Sequence, residues 1–373
     1  MKILYLTDQT YLHGGIEKVL SQKANYFADI FGDEVTIVTY NQMDNNPCYV
    51  FSDKIKFIDL GVNYEVGKSY FHPRHLQKIP YHLSSLNKIL LKIQPDIVIS
   101  SSFGPDFYFL PYLQRQIPKI KEFHTTRYFS SQVTNFKANI FQRITHHIEK
   151  SFTKLVILNE DELPYYHSDN MTVIPNPAEI DCTICTLHQK RIISAGRISY
   201  QKNFEDLIEI GKQVLQCFPD WQIHIYGDDY LGRQEILQQN INNLNLQNNI
   251  FFKGTTSDLK NTFLDYSIYV MTSNHETFPM VLLEALSVGL PVISYDCPTG
   301  PSRILADNED SFLVPYKNLD IFVQKLKELM QDENLRIQMG GKGRENVQRF
   351  SIEKIMKQWN GLLNSLIIKK TNP

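Results

Sequence analysis

The sequence predicts an α/β protein with two doubly wound, Rossmann-like domains in tandem. Short apolar runs alternate with segments of helical period, and this alternation pauses once near residue 175 before it restarts. The 373 residues also suffice for two domains of ordinary size. We therefore predict domains over residues 1–175 and 176–350.

Six apolar runs of strand length occur in the first half of the chain. Runs that are apolar on both faces are typical of parallel strands covered by helices on each side. Segments of helical period lie between them, over residues 16–30, 75–93 and 133–150. The runs are KILYLT, EVTIVTY, KIKFIDL, DIVISS, KIKEF and TKLVIL.

A change of composition marks the predicted domain boundary. The segment VIPNPAEIDCTICTLHQKR has two prolines and no periodicity, which is typical of a linker. The alternation restarts after it, and the chain closes on FSIEKIMKQWNGLLNSLI, which carries a helical apolar stripe. The strand-like runs of this half are RIISAG, WQIHIYG, NIFFKG, YSIYVMTS and PVISYD.

Composition and charge exclude several classes of protein. Hydrophobic residues at 42% and charged residues at 21% are typical of a soluble globular protein. A formal net charge of −2 argues against a nucleic-acid partner. The first apolar run stops at Leu6, and no stretch reaches the roughly 18 apolar residues that cross a bilayer. We therefore expect a cytoplasmic protein.

The sequence predicts neither a disulfide framework nor a metal site. Five cysteines are too few for the former, and the lone CxxC of Cys182 and Cys185 lacks a second ligand pair for zinc. Asp228 and Asp229, in HIYGDDYLG, fit a glycine turn better than a metal-binding DxD motif. We expect no cofactor.

The end of the first strand in the second half carries a candidate anion site. In open α/β sheets, ligands bind beyond the carboxyl ends of the strands. Gly196 follows RIISAG and allows a ligand close to the backbone, while Arg197 and Lys202, five residues apart, suit a diphosphate. The alternative is a solvated turn with ordinary surface charges.

The segment NHETFPMVLLEALSVGLPVI, after another strand, predicts a helix with a free N-terminus. Thr277 is predicted to cap a helix that has Pro279 in its first turn. The backbone amides of Met280 and Val281 would then be available to an anion.

Two carboxylates flank the start of this helix. Glu276 precedes it and Glu284 lies in its second turn, so that one reaches from the loop and the other from the helix toward a single ligand. Because burying a carboxylate without a partner is costly, an acid within MVLLEAL indicates a function.

Four motifs, in this order along the chain, resemble those of the group 1 family of retaining GT-B glycosyltransferases. HGGIEKVL is similar to the family's N-terminal glycine loop, and VIPNP to its interdomain motif. SAGRISYQKN is similar to its diphosphate-binding segment, and Glu276 with VLLEALSVGLPVI to its E-x7-E signature. The resemblance implies two Rossmann-like domains facing each other across a cleft, with a last helix, over 351–373, that crosses back to the first domain.

The resemblance also implies roles for individual residues. Arg197 and Lys202 would hold the diphosphate and stabilise its charge as the glycosidic bond breaks. Glu276 would bind the donor sugar during catalysis, and Glu284 the ribose. The remaining implied contacts are backbone groups of Phe278, Met280 and Val281 at the donor, and Asn176 in the cleft.

Further candidates lie in the first domain. Gly14 and Gly15 follow the first strand and would let a donor phosphate or sugar approach the backbone, although a tight turn is the alternative. His124 ends KIKEFH, where the family often has a catalytic histidine near the reacting carbon, and a core histidine is the alternative. CPTGPSRIL departs from the family's pattern, because Arg303 stands where relatives usually have an acid.

The first domain has two basic stretches with interleaved aromatic residues. Residues 68–92 hold five bases and no acid, and residues 111–154 hold eight bases against Glu122 and Glu149. They predict peripheral contact with an anionic membrane, and a solvated basic face is the alternative.

Together these features predict a retaining, metal-independent hexosyltransferase. It would move a sugar from a nucleoside-diphosphate sugar, UDP-linked as in most similar enzymes, to a glycan or lipid-linked acceptor. The resemblance favours bacterial capsule, exopolysaccharide or lipopolysaccharide synthesis at the inner face of the cell membrane. A GT-B fold nucleotide-sugar epimerase and a non-catalytic partner subunit remain alternatives. A nicotinamide dehydrogenase is disfavoured, since no GxGxxG follows the first strand.

Overall fold

Two parallel β-sheets organise the computed structural model of this chain. The first unit comprises Met1–Pro177 with Glu353–Pro373, and the second unit comprises Ala178–Ile352. Helices alternate with the strands in both units, which confirms the prediction of two doubly wound α/β domains. The structure describes residues 1–65, 67–131, 136–180, 182–229, 231–256 and 258–371.

The sheet of the first unit has the strand order β3-β2-β1-β4-β5-β6-β7, and every described pair is parallel. Its strands are β1 (Lys2–Leu6), β2 (Glu34–Thr39), β3 (Lys56–Asp59), β4 (Ile97–Ser100), β5 (Lys119–Glu122), β6 (Lys154–Ile157) and β7 (Met171–Val173). β7 was not predicted, because it is a half-buried edge strand of three residues.

The helices of the first unit pack on this sheet. They are α1 (Gly15–Asp29), α2 (Pro73–Leu76), α3 (Ile79–Ile93), α4 (Asp106–Phe109), α5 (Tyr128–Ser131) and α6 (Phe136–Ser151). The helix predicted over 75–93 is divided into α2 and α3, and Pro80 lies in the first turn of α3, where a missing amide hydrogen costs nothing. Residues 133–135 of the predicted third helix lie outside the described residues.

The sheet of the second unit has the strand order β10-β9-β8-β11-β12-β13. Its strands are β8 (Arg191–Ala195), β9 (Gln222–Tyr226), β10 (Ile250–Gly254), β11 (Ile268–Met271), β12 (Val292–Asp296) and β13 (Ser311–Pro315). Its helices are α7 (Phe204–Leu215), α8 (Arg233–Asn243), α9 (Leu259–Thr262), α10 (Met280–Ser287), α11 (Pro301–Ile304), α12 (Leu319–Gln331) and α13 (Glu333–Asn346).

The last helix, α14 (Ile352–Thr371), completes the core of the first unit. Its apolar stripe is buried at Ile355, Trp359, Leu363 and Leu366, positions that share one helical face. Within the described ranges, no helix is both long enough and apolar enough to cross a membrane.

A buried ion pair joins α1, β5 and α14. Lys23 of α1 pairs with Glu122 of β5, and their side chains are 2% and 3% exposed. The Lys23 ammonium also lies 3.7 Å from the ring centroid of Trp359 in α14. Burial acts to raise the pKa of Glu122, but Lys23 and the nearby His124 outweigh it and hold that pKa well below its usual range.

We predict that Lys23→Met lowers the free energy of unfolding of the first unit by about 3–5 kcal/mol, because Glu122 would remain buried without its counter-charge. Urea unfolding followed by far-UV circular dichroism measures the change. Lys54→Ala is the control, since Lys54 pairs with Asp29 at 3.0 Å on the surface and its loss should leave the midpoint unchanged. Equal midpoints for the two variants would contradict a stabilising role for the buried pair.

Candidate active site

The turn after β8 is shaped around Lys202. Gly196 has a φ of +152°, and a Cβ at this position would lie 2.5 Å from Cε of Lys202, so only glycine leaves room for the lysine stem. The turn is anchored at both ends, since the Gly196 amide donates to Tyr226 O at 2.9 Å and the Asn203 side chain donates to Thr272 O at 3.0 Å. Arg197 lies in the same turn and is exposed.

The structure brings two of the predicted site residues into direct contact. Lys202 Nζ lies 2.6 Å from Glu276 Oε1, and their side chains are 16% and 8% exposed. Ser273 Oγ donates to the same carboxylate oxygen at 2.7 Å. Ser273 was not predicted, because a serine after a strand is too common to indicate a role. The three side chains form one polar cluster at the carboxyl ends of β8 and β11.

The backbone around Glu276 is fixed by the segment that follows β12. The Glu276 amide donates to Pro298 O at 3.0 Å, and the Thr299 amide donates to Glu276 O at 2.7 Å. Gly300 has a φ of +95°, and a Cβ there would lie 2.2 Å from Thr277 O. The glycine of CPTGP therefore lets this segment pack against the loop that carries Glu276. Arg303, which follows in α11, is exposed.

The predicted cap of α10 was wrong. The helix begins at Met280, and its N-cap is Pro279, with φ −69°, ψ 108° and no side-chain hydrogen bond. Extended backbone at Pro279 delays the first helical residue, so Thr277 lies too far upstream to cap it. Met280 and Val281 are thus the first two helical residues, whose amides have no acceptor within the helix.

The other donor-site candidates surround this helix start. Phe278 and Met280 are buried, and the Phe278 ring packs edge-on against Phe350. Glu284 is half-buried, so the cost of full burial does not apply to it. Burial, with the charges of Glu276 and Glu284, raises the pKa of Tyr269 far above its usual value.

Gly14 accommodates a buried carboxylate at the start of α1. Gly14 is the N-cap of α1 in extended backbone, φ −135° and ψ 164°, and Gly15 is the first helical residue. A Cβ on Gly14 would lie 2.3 Å from Glu17 Oε2. Glu17 is 8% exposed and accepts a hydrogen bond from the Gln9 side chain. Neither Glu17 nor Gln9 was predicted.

His124 lies beside the ion pair of the first unit. Its Nε2 is 3.7 Å from Glu122 Oε2, which also accepts a hydrogen bond from Ser101 Oγ at 2.8 Å. The imidazole therefore contacts the same buried carboxylate that holds Lys23. Asn176, near the end of this unit, is buried.

The sequence predicts a basic surface from the eight bases in residues 111–154, but three of these bases are wholly or largely buried. Lys119 and Lys121 are 2% and 1% exposed, because their strand β5 lies inside the sheet. Lys121 donates to Ser100 Oγ at 3.1 Å, and burial lowers its pKa to about 8. The Arg127 guanidinium is largely buried in an ion pair with Glu149. The prediction of a basic, aromatic surface is wrong at these three positions.

Asp228 and Asp229 both accept hydrogen bonds from backbone amides of the protein. Asp229 Oδ1 accepts the Gln234 amide at 3.0 Å near the start of α8, and Asp228 O accepts the Ile198 amide at 2.8 Å. Cys182 is exposed and Cys185 is buried, and both are free thiols. Among the residues that the structure describes, no group of three or more His, Cys, Asp or Glu could hold a metal ion.

Two family descriptions match the chain. Residues 186–346 match the family described as glycosyl transferases group 1, and residues 13–181 match the family described as glycosyltransferase family 4. Each match covers most of one unit of the structure.

Curated proteins and solved structures extend this similarity. An uncharacterized glycosyltransferase of Haemophilus influenzae is 24% identical over 94% of this chain and 96% of its own length. The amylovoran biosynthesis glycosyltransferase AmsD of Erwinia amylovora is 30% identical over 54% of each chain. A crystal structure of a variant of TarM from S. aureus, in complex with fondaparinux, alpha-GlcNAc-glycerol and UDP, superposes with a TM-score of 0.79 at 17% identity, covering 98% of this chain and 100% of TarM.

Proposed function

We propose that this chain, whose second half matches the group 1 glycosyltransferases and whose first half matches glycosyltransferase family 4, transfers a sugar from a UDP-sugar to a glycan or lipid-linked acceptor, with retention of configuration and without a metal ion. The contact between Lys202 and Glu276 carries the proposal, because it holds a cation and a carboxylate together at the carboxyl edge of the second sheet.

We place the donor diphosphate at Lys202, Arg197 and the amides of Met280 and Val281. Two cations and the positive end of the α10 dipole supply the charge that a metal ion provides in other transferases. Without donor, Lys202 is neutralised by Glu276 at 2.6 Å. The diphosphate must therefore take the ammonium over from the carboxylate.

Glu276 is then available for the sugar. Ser273 Oγ continues to hold one carboxylate oxygen at 2.7 Å, and the Pro298 and Thr299 hydrogen bonds fix the backbone. A carboxylate held in this way accepts a hydrogen bond from a sugar hydroxyl without reorganising. We assign Glu284, one helical turn further along α10, to the ribose.

In the proposed reaction the acceptor hydroxyl attacks the anomeric carbon on the face from which UDP departs. The bond between that carbon and the phosphate oxygen breaks, and its electron pair stays on UDP. The leaving phosphate oxygen takes the proton of the acceptor hydroxyl. Lys202 and Arg197 stabilise the charge that develops on the diphosphate.

We assign acceptor binding to the first unit. His124 is its candidate for contact with the reacting groups, and its Nε2 lies 3.7 Å from Glu122 Oε2. The choice of UDP is supported by its presence in the TarM structure. A role in surface-polysaccharide synthesis is supported by the similarity to AmsD, an amylovoran biosynthesis enzyme.

One face of α6 is the proposed contact with the membrane. Ile140, Phe141 and Ile144 are 45%, 43% and 49% exposed, and Arg143 and Lys150 on the same helix are exposed as well. Apolar side chains enter the interfacial region of a bilayer while neighbouring bases attract anionic lipids. A lipid-linked acceptor would be met at this surface.

We expect UDP to bind the wild-type protein and Arg197→Ala/Lys202→Ala to weaken binding at least tenfold. Two hydrogen bonds to charged groups contribute about 3 kcal/mol, which exceeds a tenfold change. Calorimetric titration with UDP, GDP and ADP at fixed ionic strength measures this. Lys212→Ala, a surface lysine of α7 paired with Glu209, is the control and should bind as wild type does. If none of the nucleotides binds, a non-catalytic partner subunit replaces the transferase proposal.

The product is expected to keep the anomeric configuration of the donor. Proton NMR of the product, formed with a donor and an acceptor found by screening, reads the configuration from the anomeric coupling constant. The initial rate should be the same in excess EDTA, because cationic side chains and amides carry the diphosphate. An inverted product would refute the proposed mechanism, and turnover without acceptor would favour an epimerase.

Vesicles test the membrane contact. At low salt, vesicles that contain phosphatidylglycerol should sediment the wild-type protein, and Ile140→Asp/Ile144→Asp should abolish this, because two carboxylates replace apolar anchors. Ile236→Asp/Ile337→Asp is the matched control, since both isoleucines are exposed on helices of the second unit. If the two variants sediment equally with the vesicles, α6 is not the membrane contact.

A further inference from the structure

One face of the second sheet carries a cavity of about 350 Å³ across β8, β9 and β10. Alternate residues of a strand face opposite sides of its sheet. Ile192, Ile223, Ile225 and Ile250 belong to the core that includes residues of α7 and α8. The residues that alternate with these isoleucines along the strands therefore face the opposite side of the sheet, where they line the cavity.

Aromatic rings form the floor of this cavity. The His224 ring packs edge-on against Phe251 at 5.4 Å and against Tyr266 at 5.5 Å, and Tyr226 packs edge-on against Tyr266 at 6.2 Å. Such edge-to-face contacts are the favoured geometry for neighbouring rings and hold each one in place. His224 and Tyr266 are themselves buried, so the ring surface that faces the cavity belongs mainly to the half-buried Tyr226 and Phe251.

A chain of hydrogen bonds orders the polar atoms of the floor. His224 Nδ1 lies 2.8 Å from the Tyr266 hydroxyl, which donates to the Tyr226 hydroxyl at 3.1 Å. Because the Tyr226 hydroxyl accepts a hydrogen bond from Tyr266, its own hydrogen is not donated within this series of hydrogen bonds. The floor thus combines ring surfaces with a hydroxyl whose orientation is set by its neighbours.

Two cations flank the floor. Arg191 begins β8 and is half-buried, and Lys253 lies in β10 and is exposed. Burial, with the charges of Lys253 and Arg191, lowers the pKa of His224 to about 4, so both cations act on the floor while the imidazole stays neutral at pH 7. Asp265 is the acid of the lining, which leaves a net positive charge.

We propose that this cavity binds an acidic saccharide unit. The sugar ring would lie on the aromatic floor, its hydroxyls would bond Tyr226, and its carboxylate would lie between Arg191 and Lys253. A volume of about 350 Å³ is within the range of small-molecule sites. Neither Arg191 nor Lys253 belongs to the donor site proposed above.

The cavity and the donor site share a boundary. Arg191 is five residues before Gly196, about 16 Å along an extended strand, whereas Tyr226 O accepts the Gly196 amide at 2.9 Å. A saccharide in the cavity would therefore extend from the amino edge of the sheet toward the donor turn. The inference rests on the proposed function only for the origin of this saccharide, which would be the polymer being built.

Calorimetric titration with tetragalacturonate tests the site, and maltotetraose is the neutral saccharide of equal length. We expect tetragalacturonate to bind and maltotetraose to bind at least tenfold more weakly. Arg191→Ala/Lys253→Ala should weaken tetragalacturonate binding at least tenfold, and Phe251→Ala should weaken it as well. Lys190→Ala/Lys212→Ala removes two lysines of the same unit that pair with Asp220 and Glu209, outside the cavity lining, and should leave binding unchanged. Thermal unfolding of each variant checks that it is folded.

Several results would overturn the proposal. They are no binding of tetragalacturonate, equal binding of maltotetraose, unchanged binding by Arg191→Ala/Lys253→Ala, or full displacement by inorganic phosphate, which would indicate a simple anion site. Lys253→Glu, at an exposed position, replaces the double variant if that variant fails to fold. UDP titrated into the same samples separates the two proposals, because loss of UDP binding bears on the transferase and loss of tetragalacturonate binding bears on the cavity.

Discussion

A lysine and a glutamate that are largely withheld from water depend on each other in each unit. Lys23 and Glu122 are 2% and 3% exposed, whereas Lys202 and Glu276 are 16% and 8% exposed. A buried charge that loses its partner costs several kcal/mol. The ion pair of Lys23 and Glu122 therefore stays intact in the folded protein. Water reaches the second pair, and a ligand phosphate can replace one of its members. From this difference in exposure we propose a structural role for the first pair and a role in ligand binding for the second.

The sequence predicted every strand that lies inside the two described sheets. Two edge strands, β7 and β13, were not predicted, although β13 carries an apolar run in SFLVP. The count of charges predicted a basic surface that includes β5, and this was wrong because Lys119 and Lys121 lie inside a sheet. The pairing of neighbouring strands creates that environment, and no local pattern records it.

For the site residues, too, the sequence predicted positions but not the contacts that strand pairing creates. Motifs placed Lys202 and Glu276 at strand ends, but their direct contact and the hydrogen bond from Ser273 depend on the register between β8 and β11. Thr277 satisfied the rules for a helix cap, yet the backbone of Pro279 sets the helix start. The cavity on β8, β9 and β10 was missed, because its residues alternate with core residues and each looks ordinary by itself.

The position of α14 in the chain affects how the protein folds during synthesis. Trp359 covers the Lys23 ammonium in the first unit, yet the ribosome makes it after the whole of the second unit. Domains generally fold in the order in which they are translated. Here the first unit must wait for its last helix with a lysine-glutamate pair uncovered, so the second unit is the first that can fold to completion.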